Sequence, residues 1–171
     1  MVTQDSLEQT SITTSYLPLF VIIGLIILVT VVLALRALLM ESFQWSVVMS
    51  NFMAGFFLVF SGFKLLDLKG FAQGYSMYDL LAKKWFSYGY VYPFIELILG
   101  LCYAAKFAPP LVDWFTFVIM LFSGTGVLLK ILMREKFQCA CLGTFLKVPL
   151  TKVTLIEDFG MAIMALLMLV V

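Results

Sequence analysis

LPLFVIIGLIILVTVVLAL, residues 17–35, is a run of nineteen residues without a charge, closed by Arg36. A hydrocarbon layer of about 30 Å takes about 20 apolar residues at 1.5 Å each, so this run crosses a bilayer as one helix. Pro18 falls near the expected helix start, where its missing N–H costs nothing. The rest of the chain repeats the pattern. Trp45 to Phe63 is a second uncharged nineteen, ended by Lys64 and Asp67. A third span is expected from about Tyr90 to Ala105 and contains Glu96. A fourth runs from about Leu111 to Leu129, with Asp113 at its mouth and Lys130 at its end. A fifth, Leu155 to Val171, opens with Glu157 and Asp158. Lipid offers no partner to unpaired backbone groups, and nothing here alternates like a barrel strand. The expected fold class is therefore all-α, a polytopic membrane helical bundle.

Composition agrees. Of 171 residues, 63% are hydrophobic and 12% charged, with a mean hydropathy of +1.08. A soluble domain is about half apolar and about a quarter charged. A core of this size cannot hide so much apolar surface from water, and disorder needs the opposite composition. Eleven Lys+Arg stand against ten Asp+Glu, which leaves no basic excess for nucleic acid. The partner implied first is the lipid bilayer. Histidine is absent, which removes His-based triads, His general bases and His-containing metal sites.

Residues 1–16 are polar and lack Lys and Arg, so they read as a tail rather than as the positive n-region of a signal peptide. The division is then a tail at 1–16, an additional transmembrane helix at 17–40, and a four-helix membrane domain at 45–171. Within that domain, 68–87 is an interfacial segment. Phe71, Tyr75, Tyr78, Leu81 and Trp85 recur every three or four residues there, with Gln73, Asp79, Lys83 and Lys84 mostly off the stripe. That spacing predicts an amphipathic helix in the headgroup region, aromatics toward lipid; an aromatic-rich interfacial loop is the alternative. Five crossings put Arg36 and Lys106 on one side. Lys64, Lys69, Lys83, Lys84, Lys130, Arg134, Lys136, Lys147 and Lys152 fall on the other. The positive-inside rule places that second set, and the N-terminus, in the cytoplasm.

Three thiols are the chemical candidates. Cys139 and Cys141 stand one residue apart just beyond the fourth span, near Arg134 and Lys136. Two close thiolates bind a soft ion such as Cu(I) or close into a small, easily reduced disulfide. Neighbouring cations favour the thiolate that either role needs, while two small apolar residues at a helix end is the bland reading. Cys102 lies within the apolar third span and reads as packing. Ionisable residues inside a membrane are functional candidates because an unpaired buried charge is expensive: Lys64, Asp67, Glu96 and Lys130. Glu96, just after Tyr92-Pro93, is expected in the first turn of its helix, where the dipole favours a carboxylate. Lys64 ends the preceding span on the same membrane face and is its natural ion-pair partner.

The stretch from Gly55 through Ser61-Gly62-Phe63-Lys64-Leu65-Leu66-Asp67 resembles the second-span motif of the MauE/DoxX group of small bacterial membrane proteins. So do Tyr92-Pro93-Phe94-Ile95-Glu96, the Cys139-Ala140-Cys141-Leu142-Gly143 segment, and Glu157-Asp158 before the last span. The likeness covers about 45–171 and is nearest to the branch that often follows a heavy-metal-associated domain, whose Cys motif is missing from the N-terminal residues here. The resemblance implies a multi-pass protein of the bacterial inner membrane concerned with thiol redox or metal handling. Its MauE members are associated with maturation of the methylamine dehydrogenase small subunit, and its DoxX members with quinone-linked sulfur oxidation. On that basis Cys139 and Cys141 are the redox or metal pair, and Lys64, Asp67 and Glu96 the intramembrane polar set. The cofactor would be a quinone or a thiophilic metal ion, and the partner a thiol-containing protein or a metallochaperone. Three readings stand: a thiol–disulfide accessory rather than a stand-alone enzyme, a Cu(I) or Hg(II) relay, and a non-catalytic docking subunit. The first leads.

Overall fold

A computed structural model describes residues 4–77, 79–133, 138–139, 148–149 and 152–170. Seven helices are described: α1 (Gln4–Leu39), α2 (Trp45–Leu66), α3 (Leu68–Tyr75), α4 (Leu80–Lys84), α5 (Tyr88–Ala105), α6 (Pro109–Leu132) and α7 (Lys152–Val170). Two short strands, β1 (Gln138–Cys139) and β2 (Val148–Pro149), pair antiparallel between α6 and α7, with Cys139 opposite Val148. The bundle is all-α apart from this hairpin.

Among the described residues, four helices are long and apolar enough to cross a membrane: Leu19–Leu39, Trp45–Leu66, Tyr88–Ala105 and Pro109–Leu129. The outside of the bundle is as apolar as its inside. Leu25, Ile98 and Phe115 are each more than half exposed, the surface a protein presents to acyl chains and not to water. The fifth expected crossing, α7, carries Lys152, Glu157 and Asp158 in its first two turns and runs antiparallel along α6: Asp158 lies by Ser123, and Met168 by Val112 and Asp113.

Two close helix pairs make the core. α2 and α5 meet where a Cβ on Gly100 would come within 3.0 Å of the Phe57 Cβ and 3.1 Å of the Leu58 backbone nitrogen. Only glycine permits that approach, and small residues set such contacts in membranes. α6 and α7 meet at Gly124, packed on Phe159 and Asp158. Met53, Phe57, Phe60, Met120, Val127 and Ala165 fill the interior between the pairs. α1 lies against α2.

Three local expectations are corrected. α1 begins at Gln4 and carries straight through Pro18, so that proline sits inside a helix and leaves the carbonyl one turn earlier without its usual donor. α5 begins at Tyr88 and holds Pro93 internally. Glu96 is therefore in the third turn, beyond the reach of the N-terminal dipole. The 68–87 segment is not one lipid-facing helix but two short ones. Asp79 breaks it, its carboxylate accepting from Leu81 N at 2.9 Å and Ala82 N at 2.8 Å to start α4. Phe71 and Tyr75 are buried against the bundle, whereas Trp85 is largely exposed; Tyr78 lies outside the described residues.

Candidate functional site: a buried ion pair under an aromatic lid

Lys64, in the last turn of α2, donates from Nζ to both carboxylate oxygens of Glu96 on α5, at 2.5 and 2.6 Å. Their side chains are 8% and 4% exposed. The antiparallel α2–α5 contact that brings Phe57 to Gly100 brings Lys64 level with Glu96. Removing two charges from water costs several kcal/mol each, and close two-point geometry is what offsets it.

The rest of the cage is aromatic. The Lys64 ammonium lies 5.4 Å from the Phe71 ring centroid and 5.2 Å from that of Tyr92, a cation–π arrangement of the desolvated kind. Tyr75 stacks on Tyr92 at 4.6 Å and on Phe71 at 5.1 Å. α3 is thus a lid whose inner face is Phe71 and Tyr75. Asp67 caps its start, accepting from Gly70 N at 3.0 Å. Its end is tied to α4 by the Tyr75 hydroxyl, which donates to Asp79 at 2.9 Å. Asp79 is fully buried, so one carboxylate caps a helix and anchors the lid. Gly89 on α5 is pressed against Ala72 of α3, where a Cβ would stand 3.2 Å from the Ala72 Cα.

The other helix pair reaches the same place. Ser123 of α6 donates to Asp158 of α7 at 3.2 Å, and its hydroxyl also lies by the phenols of Tyr75 and Tyr92. Five helices therefore contribute polar groups to one buried locus: α2, α3, α5, α6 and α7. Burial, reinforced by the phenols of Tyr92 and Tyr88 and the carboxylate of Asp79, pushes the Tyr75 phenol well above its ordinary value. Tyr75 is a donor held neutral, as its bond to Asp79 requires.

Of the sequence candidates, the structure brings Lys64 and Glu96 together and gives Asp67 the cap of α3. Strand β1, which carries Cys139 in its backbone, packs against α3. The Cys139 side chain, Cys141 and the Lys130 side chain lie outside the described residues. Cys102 is a free, half-buried thiol on the wall of a cavity at the opposite end of the bundle. Among the described residues no group of three or more acidic or thiol ligands could hold a metal ion. Sequence reasoning did not single out Tyr92, Ser123 or the cap role of Asp79. Tyr92 had a signal, since it lies one helical turn before Glu96.

A multi-pass helical membrane protein with an ion pair sealed at one end of its bundle is the class that fold and site define. The family model for methylamine utilisation protein MauE matches residues 42–171. The chain belongs to the MauE family, with α1 standing outside the matched core. No curated protein and no solved structure matches it.

Proposed function

We propose that this MauE-family protein serves methylamine utilisation by supporting thiol redox in the maturation of a partner protein, with Cys139 and Cys141 as its exchanging pair. The family match supports the pathway. The observation that carries the residue assignment is the hairpin: the strand bearing Cys139 lies on α3, the lid of the five-helix polar locus. In this reading a partner thiolate attacks the Cys139–Cys141 disulfide, and a second partner thiol resolves the mixed disulfide. The partner gains the disulfide, and its two electrons and two protons leave Cys139 and Cys141 as thiols. The buried ion pair positions the lid on which the hairpin rests.

A second reading has its own support. Leaving out Lys64, held in the buried ion pair, and Lys130, within α6, seven basic residues against two favour a cytoplasmic hairpin, and cytoplasmic thiols stay reduced. Such a pair suits relay of a soft metal ion, Cu(I) or Hg(II), from a metallochaperone. One experiment separates the two. Membrane-impermeant maleimide is applied to intact cells and to inverted vesicles, with and without prior reduction, using Cys102→Ala as background. Labelling from outside, and only after reduction, supports the redox reading. Labelling only from the cytoplasmic face, without reduction and blocked by Cu(I), overturns it in favour of metal relay. A Cys139→Ser/Cys141→Ser protein that still supports its partner's disulfides and leaves soft-metal tolerance unchanged removes both and leaves a docking subunit.

A further inference from the structure

The end of the bundle opposite the hairpin holds a cavity of about 260 Å³ where α2 and α6 begin and α5 ends. Its polar lining is Gln44, Ser46, Ser50, Tyr103, Lys106 and Asp113, and Val47 and Met168 close an apolar wall. Against it lies a second depression of about 240 Å³ between α5 and α6, lined by apolar groups including Ile95, Ile98, Phe115 and Ile119. Cys102, Phe107 and Val112 line both. A chamber at the helix ends, with polar side chains set in a mostly apolar wall, thus adjoins an apolar groove between α5 and α6. That is the outline of an amphiphile, head at the membrane boundary and tail along the helices.

The charges specify the head. Asp113 is 2% exposed, and Tyr103 is its hydrogen-bond donor, at 2.9 Å to Oδ1. The other carboxylate oxygen is left for a donor arriving from the cavity. Lys106 stands at the rim, exposed, and no salt bridge joins it to Asp113 among the described residues. α2 starts here without a side-chain cap, so the N–H groups of Trp45 and Ser46 add to the positive side, whereas α6 opens on Pro109 and Pro110, which have no N–H, and Leu111 and Val112 already donate to the Ala108 carbonyl. One cavity therefore offers a cationic rim and a buried carboxylate that has room for a donor. A head with a phosphate and an N–H-bearing ammonium satisfies both. A quaternary ammonium cannot donate to Asp113, an anionic head leaves that carboxylate facing negative charge, and a quinone brings only acceptors.

We propose that this cavity and groove seat a zwitterionic phospholipid with a primary ammonium head. Its phosphate meets Lys106 and the start of α2, its ammonium meets Asp113, and one acyl chain lies between α5 and α6. The site is at the far end from the hairpin, so it stands or falls independently of the thiol reading.

The test is native mass spectrometry of the full chain in mild detergent. It is challenged with phosphatidylethanolamine, phosphatidylcholine, phosphatidylglycerol and ubiquinone of matched chain length. Phosphatidylethanolamine is expected to be retained one per protein and about tenfold more tightly than phosphatidylcholine, the worth of one charge-assisted hydrogen bond. Asp113→Asn should erase that preference. Lys106→Gln, a change at an exposed rim that leaves the core packing alone, should weaken both phospholipids, and Lys106→Arg should keep them. Equal retention of the three phospholipids, displacement by ubiquinone, or a Lys106→Gln protein that binds like the parent overturns the proposal.

Discussion

The two ends of this bundle treat charge in opposite ways. At the hairpin end, Lys64 and Glu96 neutralise each other at hydrogen-bonding distance under Phe71, Tyr75 and Tyr92. At the other end, Lys106 is exposed at a cavity rim, and buried Asp113 meets the phenol of Tyr103. A charge pair that the protein completes by itself is structural and positioning in character. Charges that face a shared cavity are arranged for something that enters. In a membrane the difference is sharp, because a buried carboxylate such as Glu96 or Asp113 has no bulk water to solvate it.

The largest expected effect breaks the closed end. Glu96→Leu leaves the Lys64 ammonium buried without its carboxylate and should cost about 3–5 kcal/mol, whereas Lys64→Met with Glu96→Leu should return close to the parent stability. Thermal unfolding of the detergent-solubilised protein in a double-mutant cycle measures it. If the double variant is as unstable as the single one, the pair is not what holds this end shut. Next, Asp79→Ala removes the acceptor for two backbone N–H groups and the Tyr75 hydroxyl, and should cost about 2 kcal/mol. Limited proteolysis between 76 and 87 should accelerate with it.

The open end supplies a smaller effect of opposite sign. The three-residue connection between α5 and α6 holds two non-glycine residues at positive φ, Lys106 at 52° and Ala108 at 42°. Ala108→Gly should relieve backbone strain and raise stability by about 0.5–1 kcal/mol, read as a higher unfolding midpoint. The smallest effect is nil at neutral pH. Because burial raises the Tyr75 pKa, the folded protein keeps that proton where the unfolded chain, with an ordinary phenol near 10, begins to lose it. Stability is full below pH about 10 and falls as pH rises beyond it. Tyr75→Phe should flatten that alkaline fall while losing the bond to Asp79.

Much of the closed end was legible before any coordinates. Uncharged runs of bilayer length located the spanning helices, and a lysine and a glutamate interrupting two neighbouring runs had few affordable fates other than each other. The lid was misread for a definite reason. Phe71 and Tyr75 at i and i+4 define an apolar face, but periodicity does not say whether lipid or protein meets it. Asp79, counted among the polar positions, is the residue that cut the segment in two. Glu96, three residues after Pro93, reads from the sequence as a first-turn residue, whereas its helix starts at Tyr88 and runs through that proline. The cavity at the open end was illegible, since its lining comes from α2, α5, α6 and α7 and follows no single spacing.

The ion pair also bears on how the chain is made. Lys64 is synthesised 32 residues before Glu96, and α5 is joined to α6 by only the residues 106–108, a connection short enough for the two helices to insert as a hairpin. Glu96 then arrives in lipid with its partner already there, provided α2 has not diffused away. Until α2 is alongside, Glu96 would stand in lipid uncompensated, so the order of synthesis, lysine first and glutamate second, favours docking of α5 on α2. A chain with Lys64→Leu should show a share of its α5–α6 hairpins failing to insert when topology is mapped by glycosylation tags, and unchanged insertion would show that Glu96 enters lipid without help from α2.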